Sequence, residues 1–195
     1  MRFSFYAKLV TCLFAGAMVL PAASVTRSRP CTSGAPTAQS YTWNFRQEAQ
    51  GLLDDVGTEA WQASYHADHL QNFSGDIDWQ EHAVELNAIR SEVNDMGNML
   101  CRLETIRRVV SPWEQKAIDD AAPLIAEMAN EAQSAITFLN DNHNHLFNPT
   151  YHAYSREMFQ QSSRLARQMS QFEDFGKVHQ DDIRLEKSLG LIKRS

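Results

Sequence analysis

The sequence predicts an all-α protein, an antiparallel up-down-up-down four-helix bundle that follows an N-terminal signal peptide and a short disordered linker. Three observations support this fold class. Apolar residues recur at steps of three and four through most of residues 41–189. Glycine and proline are sparse, at 8 and 6 in 195 residues, whereas a β-sandwich or barrel with many tight turns usually needs more. An apolar content of 43% is sufficient for a core.

The N-terminal segment, residues 1–24, has the pattern of a secretory signal. Arg2 and Lys8 are cationic, and an apolar run from Leu9 to Leu20 follows them. A Pro-Ala-Ala-Ser sequence comes directly after this run. A transmembrane anchor is the alternative, but it needs about 20 apolar residues, and this run is shorter. We therefore expect an exported protein, periplasmic or secreted, with no membrane span once the signal is cleaved.

The charge of the mature chain argues against nucleic acid as a partner. Removing residues 1–24 takes away Arg2 and Lys8 and no acidic residue, so the net charge falls from −6 to −8. An acidic surface repels phosphate backbones. The sequence favours a protein partner or self-association instead.

The linker, residues 25–40, is rich in Ser, Thr, Pro and Gly and has no core of its own. It contains Cys31, while Cys12 leaves with the signal and Cys101 lies in the predicted second helix. Export permits a Cys31–Cys101 disulfide. Two unrelated thiols are the alternative, and the spacing does not decide between them.

The bundle domain spans residues 41–189, and residues 190–195 form a tail. We predict the first helix from Tyr41 to Gln71, with Ser40 as its N-cap. The second begins near Asp78, which with Glu81 resembles a capping box. The apolar seams of these two helices contain the following residues: Phe45, Ala49, Leu52, Val56, Glu59, Ala63, His66, Leu70 and Phe73; then Trp79, His82, Leu86, Ile89, Val93, Met96, Leu100, Leu103, Arg107 and Val110.

Two cap-then-proline signals open the third and fourth helices. Ser111, Pro112 and Glu114 predict a capped third helix, and Asn148-Pro149 predicts the start of the fourth. Pro123 predicts a kink or a later start. Gly176 is a candidate interruption of the fourth helix. The residues after it, to about Leu189, are predicted to form a helical overhang. The predicted buried faces are Ile118, Ala121, Ile125, Met128, Ala132, Ala135 and Leu139; then Met158, Leu165, Met169 and Phe172.

Six of the seven histidines are predicted near one end of the bundle. His66 and His82 lie at equal distances from the first turn, and His69 shares a helical face with His66. The functional interpretation is a transition-metal site for zinc, copper or nickel, with His66, His69 and His82 as ligands. His143 and His152, which flank the turn between the third and fourth helices, are further candidate ligands.

A structural interpretation of the same histidines stays open. Core histidines often hydrogen-bond to each other or to a carboxylate such as Glu59 or Glu85, and histidines near a turn are often exposed to solvent. Arg107, on the seam near the opposite end, is expected to reach solvent or to pair with an acid. Glu-x-x-His pairs, CxxCH and phosphate-binding glycine loops do not occur in the sequence, so neither diiron, haem nor another cofactor is expected.

The long seams and the lack of a catalytic motif predict a non-enzymatic binding or scaffold protein of the cell envelope. The alternative function is a metal-binding or metal-sensing bundle that uses the histidine end. An exposed apolar stripe left over after packing of the four helices would favour the binding protein. Convergent imidazole nitrogens would favour the metal protein.

Overall fold

The computed structural model describes residues 45–73, 78–143 and 145–191. This part contains four α-helices, and the predicted all-α class is confirmed for it. The predicted signal (1–24), linker (25–40) and first residues of the bundle (41–44) lie outside the described residues, as does the end of the tail. The helices are α1 (Phe45–Asn72), α2 (Trp79–Ile106), α3 (Pro112–Asp141) and α4 (Pro149–Ser188), with a short 3-10 turn at Arg107–Val109 between α2 and α3.

Each helix packs on its neighbour in the sequence, and α4 also packs along α1. Cross-helix contacts give the directions. Residues late in α1 meet residues early in α2, since His66 contacts Glu85, and Gln180 near the end of α4 contacts Gln50 near the start of α1. These contacts are antiparallel, and the arrangement is consistent with an up-down bundle. Within the described ranges, no helix is long and apolar enough to cross a membrane.

The core is a single cluster of apolar side chains along the bundle axis. The predicted faces of α2, α3 and α4 supply most of it, and Leu86, Ile118, Met128 and Leu165 are almost completely buried. The hydrophobic effect of this cluster is the main stabilising contribution, at roughly 25 cal/mol for each Å² of apolar surface removed from water.

Every second position of the predicted seam of α1 is displaced by one residue. Ala60 and Ala67 are fully buried, whereas Glu59 and His66 lie at the edge of the core. The buried residues still follow steps of four and three, so the inward face of α1 is rotated slightly from the predicted one and contains the small apolar residue that follows each polar one. The two polar interruptions of the predicted seam therefore face the boundary with α2 rather than the centre of the core.

The caps predicted for α3 and α4 are confirmed. The Ser111 backbone N–H donates to the Glu114 carboxylate at 2.7 Å, and the Asn148 side chain accepts from the Thr150 backbone N–H at 2.9 Å. The capping box predicted for α2 is wrong in detail. Asp78 occupies the N-cap position, but its side chain makes no capping hydrogen bond, because the Glu81 N–H donates to the Asp78 backbone carbonyl instead, at 3.0 Å.

Pro123 does not delay the start of α3, which runs from Pro112 to Asp141. The expected later start is therefore wrong. Pro123 is exposed, so the carbonyl that loses its helical partner lies on the solvent side. The adjacent Leu124 and Ile125 are buried and hold the helix on the core.

Gly176 does not interrupt α4, which continues to Ser188. It is instead a point of close packing with α3. A Cβ added at Gly176 would lie 2.9 Å from Cη2 of Trp113 and 3.0 Å from Cζ2. Gly57 of α1 has a similar role, because a Cβ there would lie 3.0 Å from the Cβ of Met169. Glycine at these two positions lets α4 approach both of its neighbours.

Cys101 is disulfide-bonded. The other two cysteines of the chain, Cys12 and Cys31, lie outside the described residues. The bond favours the disulfide interpretation over two unrelated thiols. The assignment of Cys31 as the partner stays a prediction.

Gly176→Ala should destabilise the protein although alanine is the better helix former. The helical preference of alanine contributes about 1 kcal/mol in favour of the variant. Crowding against the Trp113 ring costs about 1–3 kcal/mol. We expect a net loss of about 1 kcal/mol in the free energy of unfolding, measured by urea denaturation.

Gly97→Ala is the matched control, because a Cβ at Gly97 of α2 would meet nothing within 4 Å. That variant should be stabilised by about 0.5–1 kcal/mol. Equal stabilisation of both variants would show that Trp113 does not constrain α4.

Candidate functional site

The histidines of α1, of α2 and of the connection between α3 and α4 fall into separate groups, each with its own partners. His66 and His69 of α1 face carboxylates of α2, whereas His82 of α2 faces Tyr151 of α4. His143, two residues after the end of α3, stacks on Trp79 with ring centroids 4.6 Å apart. The structure thus brings His66 and His69 together and gives His82 a different environment.

We call the group at the α1–α2 boundary the carboxylate–histidine cluster, which consists of His66, His69, Glu85 and Glu92. Nδ1 of His66 lies 2.6 Å from Oε2 of Glu85, and its Nε2 lies 3.3 Å from Oε1 of Glu92. Nδ1 of His69 lies 3.6 Å from Oε1 of Glu85. One imidazole, that of His66, therefore bridges two carboxylates that are seven residues apart on one face of α2.

Glu92 is the most unusual member of the cluster. Its side chain is 8% exposed, and Oε2 is buried without a hydrogen-bond partner in the described part of the chain. Burial raises the pKa of Glu92 from 4.5 to about 7; His66 opposes the rise, and Glu59, Glu85 and Asp95 add to it. A buried carboxylate without full hydrogen bonding favours its neutral form.

His82 is part of a packed aromatic group under the turn between α3 and α4. Its Nδ1 lies 3.1 Å from the hydroxyl of Tyr151, which is 1% exposed, and its ring is edge-on to Phe73. Burial, with a smaller contribution from His152, lowers the pKa of His82 below 6.5. The neutral imidazole can accept the hydrogen bond that the Tyr151 hydroxyl donates. This is the satisfied core histidine of the structural interpretation.

These positions bear on the predicted metal ligands. His66 and His69 both contact the carboxylate of Glu85, and His82 is hydrogen-bonded to the hydroxyl of Tyr151. The ring of His152 lies next to the ring of Tyr151. Among the residues that the structure describes, no group of three or more His, Cys, Asp or Glu side chains is placed to hold a metal ion. The metal site at His66, His69 and His82 stays a prediction.

The opposite end of the molecule carries an exposed apolar surface on α4. Phe175, Val178, Leu185 and Leu189 are 52%, 61%, 58% and 70% exposed. With Asp182 between them they follow steps of three and four residues, so they lie along one side of the helix. We call this surface the outer face of α4. Leu185 comes about two and a half turns after the buried Gly176, which places it on the side opposite the core.

The charges on this part of α4 are divided between two sides. Asp182 lies within the outer face, and Asp181 and Glu186 flank it. Lys187 comes nine residues after Val178, which places it on the opposite side of the helix. Arg184 also lies off the outer face, but its Nη1 lies 3.3 Å from Oδ1 of Asp181 and partly balances that charge. The outer face is therefore an apolar stripe whose negative charge comes mainly from Asp182 and Glu186.

A shallow groove of about 410 Å³ lies between α1 and α4, with Gly57, Trp61, Ala166 and Met169 among its lining residues. Trp61 at its edge is 63% exposed and stacks on Tyr65.

Arg107 directly follows the C-terminal end of α2. Its guanidinium donates to the carboxylate of Asp119 at 2.9 and 2.6 Å, which confirms the expected pairing with an acid.

Sequence reasoning named Glu59 and Glu85 as candidate histidine partners and missed Glu92. The structure pairs His66 and His69 with Glu85. A signal for Glu92 was present, because Glu85 and Glu92 are one heptad apart and must share a face of α2. The sequence predicted the last turns of α4 as a helical overhang, but it did not predict an exposed apolar surface on them. Its apolar members stand at heptad spacing in the sequence, but spacing alone does not show whether a helical face is covered.

Tyr151→Phe should destabilise the protein by about 1–3 kcal/mol, because it leaves the buried His82 nitrogen without its partner. Thermal unfolding near neutral pH, where His82 is uncharged, measures the loss. Tyr154→Phe, at a partly exposed tyrosine on the same helix, is the control and should change stability by less than about 0.5 kcal/mol. Equal effects of the two substitutions would contradict the assigned role of the His82–Tyr151 bond.

Comparison with known proteins identifies no relative: no protein-family model, no curated protein and no solved structure matches this chain.

Proposed function

We propose that this chain is an exported, non-enzymatic binding protein of the cell envelope, and that its bundle presents the outer face of α4 to an amphipathic helix of a partner protein. The observation that carries the proposal is the exposed stripe of Phe175, Val178, Leu185 and Leu189 on a helix that is otherwise buried on one side. Apolar side chains in contiguous exposed patches are typical of interaction sites, whereas scattered ones are not.

The geometry of the stripe favours a helical partner. Positions at alternating steps of three and four residues are those that a second helix contacts in a coiled coil. The stripe runs over about 22 Å of α4, which is about four turns. Phe175, at the start of the stripe, contacts the Trp113 ring of α3, with ring centroids 5.9 Å apart, whereas Leu185 and Leu189 are 58% and 70% exposed. A partner helix can therefore contact the stripe without unfolding the bundle.

The charges favour a partner whose helix has basic margins. Asp182 stands at the centre of the stripe, and Asp181 and Glu186 flank it. Arg184 contacts Asp181 at 3.3 Å, so the negative charge of the stripe comes mainly from Asp182 and Glu186. A second copy of this chain, paired through the same face, would bring Asp182 opposite Asp182, and like charges facing each other across an interface are unfavourable. A helix with an apolar seam flanked by Lys or Arg would instead complement both features.

A synthetic amphipathic peptide with a leucine seam flanked by lysines should therefore bind the mature protein. Leu185→Asp should weaken this binding at least about tenfold, because it removes an apolar contact worth about 1.5–3 kcal/mol and adds a charge to the seam. Isothermal titration calorimetry measures the affinity. Leu185 is 58% exposed, so the variant should keep the far-ultraviolet circular dichroism of the wild type.

Gln180→Asp is the matched control, since it adds the same charge to the same helix on the side that contacts Gln50 of α1. It should bind the peptide like the wild type. A peptide with the same seam and glutamate margins should not bind. Equal binding of the lysine peptide to the wild type and to Leu185→Asp, or the absence of its binding to the wild type, would contradict the proposal. Concentration-dependent dimers of the wild type would point to self-association.

A transition-metal protein is the second candidate, and the shared approach of His66 and His69 to Glu85 supports it. If it holds, untagged protein purified from the exported fraction without chelator should contain near-stoichiometric zinc, copper or nickel, measured by elemental analysis. The His66→Ala/His69→Ala variant should lose this metal, and His143→Ala should retain it. A metal-free wild type that binds no added metal would rule this candidate out.

A further inference from the structure

Two exposed aromatic side chains follow one another along α1, on a different helix from the outer face of α4. Trp61 and Tyr65 are 63% and 49% exposed. Their ring planes are inclined by only 20°, and their centroids are 6.3 Å apart. Four residues of an α-helix rise by about 6 Å, so the two rings are displaced mainly along the helix axis. We call this pair the aromatic platform.

The aromatic platform is held in place by its neighbours. The ring centroid of Tyr65 lies 5.5 Å from that of His66 and 4.2 Å from that of His69, and Trp61 packs on its other side. These contacts restrict the rotamers of Tyr65. A side chain that is ordered before a ligand binds loses less conformational entropy on binding, so the platform is suited to recognition.

The groove between α1 and α4 adjoins the platform at Trp61. Its volume of about 410 Å³ lies in the range of small-molecule sites. Its lining combines small or apolar residues with polar ones, among them Gly57, Ala166 and Met169, and then Thr58, Ser170 and Glu173. A ligand in this groove would meet an apolar surface and hydrogen-bonding groups together.

The charges around the groove balance one another. Asp54 and Glu173 line it, as does Arg167, and Lys177 forms an ion pair with Glu173. Two acidic and two basic groups leave no net charge to attract a cation or an anion. This balance favours a neutral ligand that hydrogen-bonds to the hydroxyls and carboxylates of the lining.

The same surface does not suit a partner helix. The exposed positions of α1 at steps of four and three are Asp54, Thr58, Trp61, Tyr65 and Asp68. Only two of these five are aromatic or apolar, whereas a helix in a coiled coil needs apolar contacts at successive steps. The surface instead matches a ligand with apolar faces and a polar edge.

Sugars have this distribution of groups. The faces of a pyranose ring carry C–H groups, whose slight positive charge is attracted to the negative face of an aromatic ring. The edge of the sugar carries hydroxyls, which both donate and accept hydrogen bonds. A β-1,4-linked chain is extended and flat, so successive sugars can contact two rings that follow one another, whereas an α-1,4-linked chain curves away.

We propose that the aromatic platform and the adjoining groove form a binding site for a neutral β-1,4-linked oligosaccharide, which stacks on Trp61 and Tyr65 and hydrogen-bonds to the polar lining of the groove. The site is independent of the proposed helix binding by the outer face of α4, because the two surfaces share no residue.

NMR of the indole N–H groups of the mature protein tests the proposal, with cellohexaose and N-acetylchitohexaose as probes. The signal that is missing from the spectrum of Trp61→Ala should shift saturably with at least one probe. Maltohexaose, the α-linked counterpart, should bind at least about fivefold more weakly, because its curvature leaves it in contact with one ring only.

Substitutions in the site should weaken binding of the same probe, measured by isothermal titration calorimetry. Trp61→Ala should weaken it at least about tenfold and Tyr65→Ala at least about threefold, because each removes a stacking surface. Ser170→Gln places a longer neutral side chain at the groove and should also weaken binding. These three positions are exposed, so the variants should keep the circular dichroism of the wild type.

Two controls separate this site from other surfaces. Phe147→Ala removes an aromatic side chain that is 64% exposed in the connection between α3 and α4, and it should bind the probe like the wild type. Leu185→Asp should also bind like the wild type, so this test does not depend on the outer face of α4. The absence of binding of both β-linked probes, equal binding of maltohexaose, or equal affinity of the wild type and Trp61→Ala would overturn the proposal.

Discussion

The close approach of α4 to α1 and α3 is the constraint on which the rest of the structure depends. It is achieved by glycine, with Gly57 against Met169 and Gly176 against the ring of Trp113. Ala60 and Ala67 on the inner side of α1 add further small residues where the helices meet. Because α4 lies this close to both neighbours, its inner side is fully occupied, and the core takes no side chains from its outer side.

The length of α4 gives this constraint a functional consequence. The helix runs for 40 residues, against 28 in α1 and 30 in α3, so its last turns reach beyond the main body of the core. Buried residues of α4 end at Gly176, and the apolar residues that follow are largely exposed. A surface of this kind is costly in water unless a partner covers it. This is why the proposed function is placed on α4 rather than at the histidine end.

The imidazoles at the histidine end have partners that the sequence did not specify. Imidazoles at one end of a bundle indicate a metal site only if their nitrogens converge. Here His82 is held by Tyr151, and His66 is held by Glu85 and Glu92. The metal site stays a prediction, and its candidate ligands lie on a different part of the bundle from the outer face of α4.

The sequence by itself determined the helical class, the helix order and most of the core, because apolar periodicity and cap residues act over a few residues of chain. Ser111, Asn148 and the seams of α2 and α3 were placed correctly for this reason. Only the tertiary structure decided which imidazole meets which carboxylate, that Gly176 is a packing contact rather than a break, and that the outer face of α4 is uncovered. These features depend on the rotation and spacing of helices distant in sequence, and a heptad pattern does not fix either one.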